Sequence, residues 1–558
     1  MNDLKGQLTL RGIIVGCLGC IIITATSVYT ALKMGALPWP IIFAAIISLF
    51  FLKVISRGAS TLNEANVTHT VMSAGSMVAG GLAFTIPGAW MLGLADQVSL
   101  VDMFVVAFAG VVMGLVCTAV LRRHFIEEAE LEFPIGNAAA QTLIAGDSGG
   151  STGKKLFGGM GFAAAFAALR DFVGAIPAMV ATFPVPGVTF GIYLSPMMLS
   201  VGFLVGTVSV CIWFAGALLG NLGIPVVGTA LGLCDVTTAQ GIVSSLGMGT
   251  MMGFGFAVIA KDIIPKGVKL LRSAAVAESQ GQQRTASGRK MVFALSAVLV
   301  AAVALVVCMA LGIGPVASIV IVLLAFVTTA MSAQSAGQTG IDPMEIFGLI
   351  VLLIVAAFSQ VAQVKLFFVA GIIAVACGLA GDVMNDFKAG HVLGTNPRAQ
   401  LIGQAIGGFI GAIVAVLVMS VLVSAYGPEA FGPSGLFVSA QASVVAAMVN
   451  GIPNVAAFVI GLLLGFVPYL FGFPSMMLGL GIYLPFYLSF TAFLGAMAKV
   501  LYDAIAKRRS AGLPEGERTE KLEAARETGL VVASGFLGGE SIVGIILAMV
   551  VACSGLAG

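Results

Sequence analysis

Two apolar runs of this chain, 289–313 and 397–425, are each longer than the ~20 residues a helix needs to cross a bilayer. Similar runs follow one another from residue 12 to the end, separated by short polar gaps. In hydrocarbon every backbone N–H and C=O must find its partner inside the segment, so runs of this length and spacing fold as spanning helices. The charge balance agrees, with 9% charged residues against roughly 25% in soluble proteins, and 59% hydrophobic ones. A soluble globular enzyme is excluded. A β-barrel, which needs short alternating segments, is excluded as well. The 558 residues have room for at most about 17 crossings and the runs count to about 16, so the fold expected is an all-α polytopic membrane protein.

Charge gives the expected orientation. Of the 27 Lys and Arg residues, 14 lie in the stretches 261–290 and 499–527. Positive residues mark cytoplasmic loops, and Lys5/Arg11, Lys53/Arg57, Arg122/Arg123 and the 261–290 stretch all fit an N-terminus inside. The loop with Lys507-Arg508-Arg509 does not fit. Counting 291–313, 315–333, 343–361, 364–381, 397–425, 454–472 and 478–504 as crossings puts it outside, and the weak stretch 434–450 is the expected source of the miscount. The run 12–32 is too long for a signal-peptide core and is read as a retained first helix. The Cys residues sit mostly in apolar runs, so no structural disulfide is expected. Cys17-Leu-Gly-Cys20 has no partner ligands nearby and reads as helix packing.

The sequence also resembles itself. A slide of 290 lays Phe183-Pro184 on Phe473-Pro474 and Gly191-Ile192-Tyr193-Leu194 on Gly481-Ile482-Tyr483-Leu484. A slide of 259 lays Met72-Ser73-Ala74 on Met331-Ser332-Ala333, and Asn137, Gln141 on Asn396, Gln400. Two homologous halves are expected, 1–270 and 290–558, joined by a charged cytoplasmic linker at 271–289. Duplicated membrane proteins commonly carry solutes at the interface of the repeats, and Gly/Pro-broken or re-entrant segments in both halves are the best pointers to the site. Here those are 72–81 with 331–340, and 183–206 with 473–495. Gly403-xxx-Gly407-xxx-Gly411 reads instead as close helix packing.

Ionisable residues in spans are costly and point to a substrate or proton path. Glu540 stands in the last apolar run with no basic residue within a helical turn. It reads as a titrating carboxyl, or as a neutral one bonded to a neighbouring helix. Asp382 and Asp386 are four apart, on one face if that segment is helical, or else in a solvated loop. Glu64, Asn66, His69 and Ser73 form a polar cluster at the start of another span; the sequon Asn66-Val67-Thr68 falls on the cytoplasmic side and is discounted.

These residues resemble a known family. Glu64-x-Asn66-Val67-x-x-Thr70-x-x-Ser73-Ala74-Gly75, Gly381-Asp382-x-x-x-Asp386-x-Lys388-x-Gly390, Gly394-x-x-Pro397-Arg398-x-Gln400, Gly481-Ile482-Tyr483-Leu484-Pro485 and Ser534-Gly535-x-x-x-Gly539-Glu540 are similar to the oligopeptide transporter family, with its yellow-stripe-like metal-chelate carriers and a bacterial branch. The family pattern has Asn at Ala65 and Gln at His69, which leaves substrate choice open. The resemblance implies a proton-coupled importer of small peptides, glutathione-like compounds or metal chelates, in the cytoplasmic (inner) membrane.

The function expected is therefore a secondary transporter working by alternating access, with an uncoupled channel or facilitator as the alternative. Glu540, Asp382 and Asp386 are the expected proton-coupling residues. Glu64, Asn66, His69, Ser73, Tyr193 and Tyr483 are the expected substrate lining. No enzymatic activity, cofactor or resident metal is expected, since the three His lie scattered and no nucleotide-binding loop is present. The near-neutral charge of +2 gives no reason to expect nucleic acid; the partners are substrate, protons and lipid, with a homo-oligomer left open.

Overall fold

The computed structural model describes residues 4–556 apart from 36, 38–39, 148–151, 186–187, 259, 262–264, 266–286 and 340–341. Most of the linker expected at 271–289 lies outside the described residues. Among the described residues, ten helices are long and apolar enough to span a membrane, and six shorter apolar helices accompany them. The molecule is an integral membrane protein of the all-α class. One antiparallel ribbon interrupts it, β1 (Met179–Val185) paired with β2 (Val188–Tyr193), formed where β-branched and aromatic residues replace a helical run.

The first three long helices zigzag. α1 (Leu10–Met34) and α3 (Leu62–Ala83) run parallel, Gly12 lying against Thr68 and Gly75 against Thr24, with α2 (Pro40–Ile55) returning between them. Arg11 and Glu64 pair where α1 and α3 begin, which defines an N-terminal face of the molecule. Next come α4 (Leu100–Arg122), α5 (Pro134–Asp147) and α6 (Thr152–Asp171). The ribbon leads into α7 (Pro196–Val205), which reverses at Gly206, φ +99°, into α8 (Thr207–Ala217). α9 (Val236–Val258) and α10 (Ser287–Ala310) flank the linker.

α11 (Pro315–Thr339) and α12 (Met344–Phe358) form a hairpin. They pack on the 31-residue α13 (Gln363–Leu393), which runs antiparallel to α3: Val375 meets Gly81 and Asp386 meets Ser73. Lys365 bonds the Gly312 carbonyl at the mouth of the hairpin, while its tip residue Asp342 lies against Gly381, well inside α13. The hairpin therefore enters from the opposite face and turns back inside the molecule. α14 (Pro397–Tyr426) runs parallel to α3, and Gly403, Gly407 and Gly411 meet Val67, Val71 and Gly75 in register. A Cβ at Gly411 would collide with the Gly75 backbone, so this glycine row does the close packing its spacing suggested.

The 72–81 stretch is not broken. It lies inside continuous α3, where Gly75, Gly80 and Gly81 admit α14, Met344 and α13 rather than ending the helix. Its expected counterpart, 331–340, is helical as far as Thr339, beside the tip of the α11–α12 hairpin, and its last residue lies outside the described residues.

The remaining helices are α15 (Ala440–Asn450), α16 (Val455–Leu470), α17 (Ser475–Tyr483), α18 (Phe486–Arg509) and α19 (Glu515–Leu556). α16 and α9 run parallel through Gly249, Gly253, Gly461 and Gly465. α17 folds back along them, Ser475 bonding Gly465 O and Tyr483 reaching Gly247. α19 runs parallel to α6, with Gly535 and Gly539 on Leu156, Met160 and Ala164. α6 begins beside the end of α2, since Phe157 packs on Phe50 and Phe51. The Lys507-Arg508-Arg509 loop therefore lies on the N-terminal face with Arg11 and Arg57. The miscount was not at 434–450: Ser439 bonds Leu32 O where α1 ends, and α15 follows there. It was at 478–504, where Leu484-Pro485 separates the returning α17 from the crossing α18.

Candidate functional site

Two polar clusters are buried in this bundle. The first lies between α3, α13, α14 and the hairpin tip. Because α13 continues unbroken to Leu393, Asp382 and Asp386 are one turn apart on a buried helix, not in a solvated loop. Lys388 turns away and donates to Leu131 O at 2.8 Å. Asp386 Oδ2 accepts from Ser73 Oγ at 2.8 Å and Gln404 Nε2 at 2.9 Å, and His69 Nε2 stands 3.6 Å from Oδ1. Gln400 Nε2 donates to the Asp386 carbonyl at 2.7 Å.

Asp382 differs. It is 2% exposed, and neither carboxyl oxygen has a hydrogen-bond partner among the described residues, although Ser73, engaged on Asp386, stands within reach. Asp342 joins from the hairpin tip. Ser332 Oγ lies 2.6 Å from its Oδ1, its Oδ2 has no partner among the described residues, and Asp382 is within electrostatic range. Asp342, Asp382 and Asp386 thus converge beside one histidine, with Glu345 also within electrostatic range of Asp342, and no Lys or Arg among the described residues forms an ion pair with the three aspartates. Isolated charges in such surroundings cost so much that a proton or another positive charge is needed to balance them.

Depth follows from helix rise. His69 and Ser73 stand seven and eleven residues into α3, roughly 10 and 16 Å from its start. Asp386 is correspondingly seven residues from the end of α13. The cluster is thus well inside the bilayer, nearer the N-terminal face. The other two members of the polar run at 64–73 do something else. Glu64 is clamped by Arg11, Nε to Oε1 at 2.6 Å and Nη2 to Oε2 at 2.7 Å. Asn66 Nδ2 donates to Thr395 Oγ1 at 3.1 Å, tying α3 to the α13–α14 turn. Both lie below the carboxylate cluster, in helix-end tethers.

The second cluster surrounds Glu540 and overturns the reading of a lone carboxylate. Arg170, from α6, stands 2.9 Å from Glu540 Oε1. Ser195 Oγ and the Met197 N–H at the start of α7 also bond it, each at 2.8 Å. Arg170 grips Asp171 with two bonds of 2.7 Å and donates to Leu194 O at 2.6 Å. Sequence distance hid this, because the cation is 370 residues away on another helix. Tyr193 closes β2 and lies over the Arg170 guanidinium, 5.1 Å from Cζ to the ring centroid. Its backbone is held by Thr491 at 3.0 and 3.1 Å. Tyr483 ends α17, buried against Gly247 and beside Ser443. The paired tyrosines therefore sit in unlike elements, one in a strand and one in a helix.

Sequence reading gave no site role to Lys33, Arg170, Asp342 or Gln404, and it placed Gln400 in a motif without a role. Asp342 carried a signal, a charge between two apolar runs in Asp342-Pro343. Gln404 looks like an ordinary helix residue until α14 packs on α13.

A helical bundle with an inward-turning hairpin and carboxyls buried among its helices has features that recur in polytopic membrane carriers. The chain belongs to the OPT oligopeptide transporter family, whose model matches residues 7–551. It is 27% identical to a putative oligopeptide transporter of Haemophilus influenzae over 94% of this chain and 93% of that protein. Over 17% of its length it is 35% identical to a metal-nicotianamine transporter of Arabidopsis thaliana, 14% of which is covered. A putative oligopeptide transporter of Saccharomyces cerevisiae is 37% identical over 16% of this chain and 13% of its own.

Proposed function

We propose that the protein is a proton-coupled carrier that imports small peptides or peptide-like metal chelates across the cytoplasmic membrane by alternating access. The relatives' names motivate the substrate classes. The observation that supports proton coupling is Asp382, buried without a hydrogen bond between Asp386 and Asp342. In this reading Asp382 and Asp386 exchange protons, and His69, Ser73 and Gln404 hold Asp386 in place. The Arg170–Glu540 pair acts as a conformational latch rather than a proton site. Glu64 and Asn66 support the site from below, and Tyr193 and Tyr483 line the substrate path. The two sequence halves would move relative to one another around these clusters, with the N-terminus in the cytoplasm.

The test is uptake into proteoliposomes of a mixed library of peptides and metal chelates, with and without an inward proton gradient, read by mass spectrometry. Accumulation above equilibrium should require the gradient, and Asp382→Asn or Asp386→Asn should abolish accumulation. Equilibration that ignores the gradient would instead establish a facilitator.

A further inference from the structure

Lys33 is a buried cation with no anion of its own. It stands in the last turn of α1, 7% exposed, and among the described residues it makes no ion pair and no hydrogen bond. Three rings surround its ammonium, with centroids of Phe437 at 5.6 Å, Tyr193 at 5.9 Å and Tyr29 at 6.0 Å. Ring faces partly replace water around a cation, but they leave its hydrogen-bond donors unused. The carboxylates within electrostatic range, Glu540 and Asp171, are both engaged by Arg170.

One other unmet group stands nearby. Gln441 donates from Nε2 to the Gly35 carbonyl, two residues beyond Lys33, while its Oε1 is buried and has no partner among the described residues. These residues come from element ends: the close of α1, the start of α15 and the end of β2. A buried ammonium and an amide acceptor together suit a small zwitterion, with the ammonium taking the negative end.

We infer that Lys33 is the anchor for a substrate carboxylate, the C-terminal one of a small peptide. The inference rests on the transport reading above and deepens it. The site is separate from the carboxylate cluster: Lys33 lies 22 residues along α1 from Arg11, at the far end of the helix from the N-terminal face.

The experiment is uptake by proteoliposomes of a tripeptide library with free C-termini and of the same library as C-terminal amides, in competition. Wild type should prefer the acids by about tenfold, the discrimination a single charged contact supplies. Lys33→Met should bring the acids down to the amides while leaving amide uptake in place, and Lys33→Arg should restore part of the preference. Lys33→Gln serves should the Met variant not give a monodisperse preparation. A wild type that takes acids and amides alike, or a Lys33→Met protein that still prefers acids, overturns the inference and leaves transport standing. Uptake of neither library by wild type would overturn the peptide reading itself, and this assignment with it.

Discussion

Single side chains in this protein act according to the partner that folding brings them. Glu540 is the clearest case. From its neighbours in the chain it is an isolated carboxyl, but in the bundle it accepts bonds from Arg170, Ser195 and a helix N-terminus. Removing one member of such a buried pair strands the other, at a cost of about 3–5 kcal/mol. Arg170→Met should therefore lower the thermal unfolding temperature in detergent substantially, and adding Glu540→Gln should recover much of the loss. A single mutant as stable as wild type would show that the pair is not formed. The first cluster works differently, because Asp386 accepts hydrogen bonds from Ser73 and Gln404, with His69 Nε2 3.6 Å away, rather than from an arginine. Gln404→Ala removes one donor to Asp386 and should cost about 1–3 kcal/mol of stability, measured by the same unfolding assay.

At the scale of elements, glycine decides how close helices come. The Gly403-xxx-Gly407-xxx-Gly411 row was legible as a packing motif, and its partner is α3, the helix that carries His69 and Ser73. Close approach of α14 to α3 is also what brings Gln400 and Gln404 to Asp386. Gly411→Leu should then destabilise by about 1–3 kcal/mol or more, because the added side chain meets backbone that cannot yield. Gly158→Leu on α6, where a Cβ meets nothing within 4 Å, should change stability little. Equal effects of the two substitutions in thermal unfolding would remove the packing argument. Helices were readable from run length, but their reversals were less so. Leu484-Pro485 looked like an interruption within one crossing, yet α17 runs back along α16 before α18 sets out. The same limit applies to Asp382 and Asp386, whose segment is polar enough to pass for a loop and is helical because α3, α4 and the hairpin enclose it.

Across the whole molecule, the direction of each helix sets which loops share a face. Arg57 follows α2, and Glu520 lies on the charged first turns of α19; both are on the N-terminal face. Glu429, after α14, is on the other. In a cysteine-free background, Arg57→Cys and Glu520→Cys should react with a membrane-impermeant thiol reagent from the same side, and Glu429→Cys from the opposite side. Labelling of Arg57→Cys and Glu520→Cys from different sides would refute this arrangement of helices.

The amino-acid sequence by itself determined the membrane environment, the helical class and the glycine packing row, and it singled out Asp382 and Asp386 as costly charges. These follow from composition, run length and the cost of charge in hydrocarbon, which are local properties. Tertiary structure alone decided which charges are paired, because a pair is set by distance in space. Arg170 and Glu540 are 370 residues apart, Asp342 meets Asp382 only when a hairpin turns inward, and Arg170 engages both carboxylates within electrostatic range of Lys33, which makes no ion pair among the described residues.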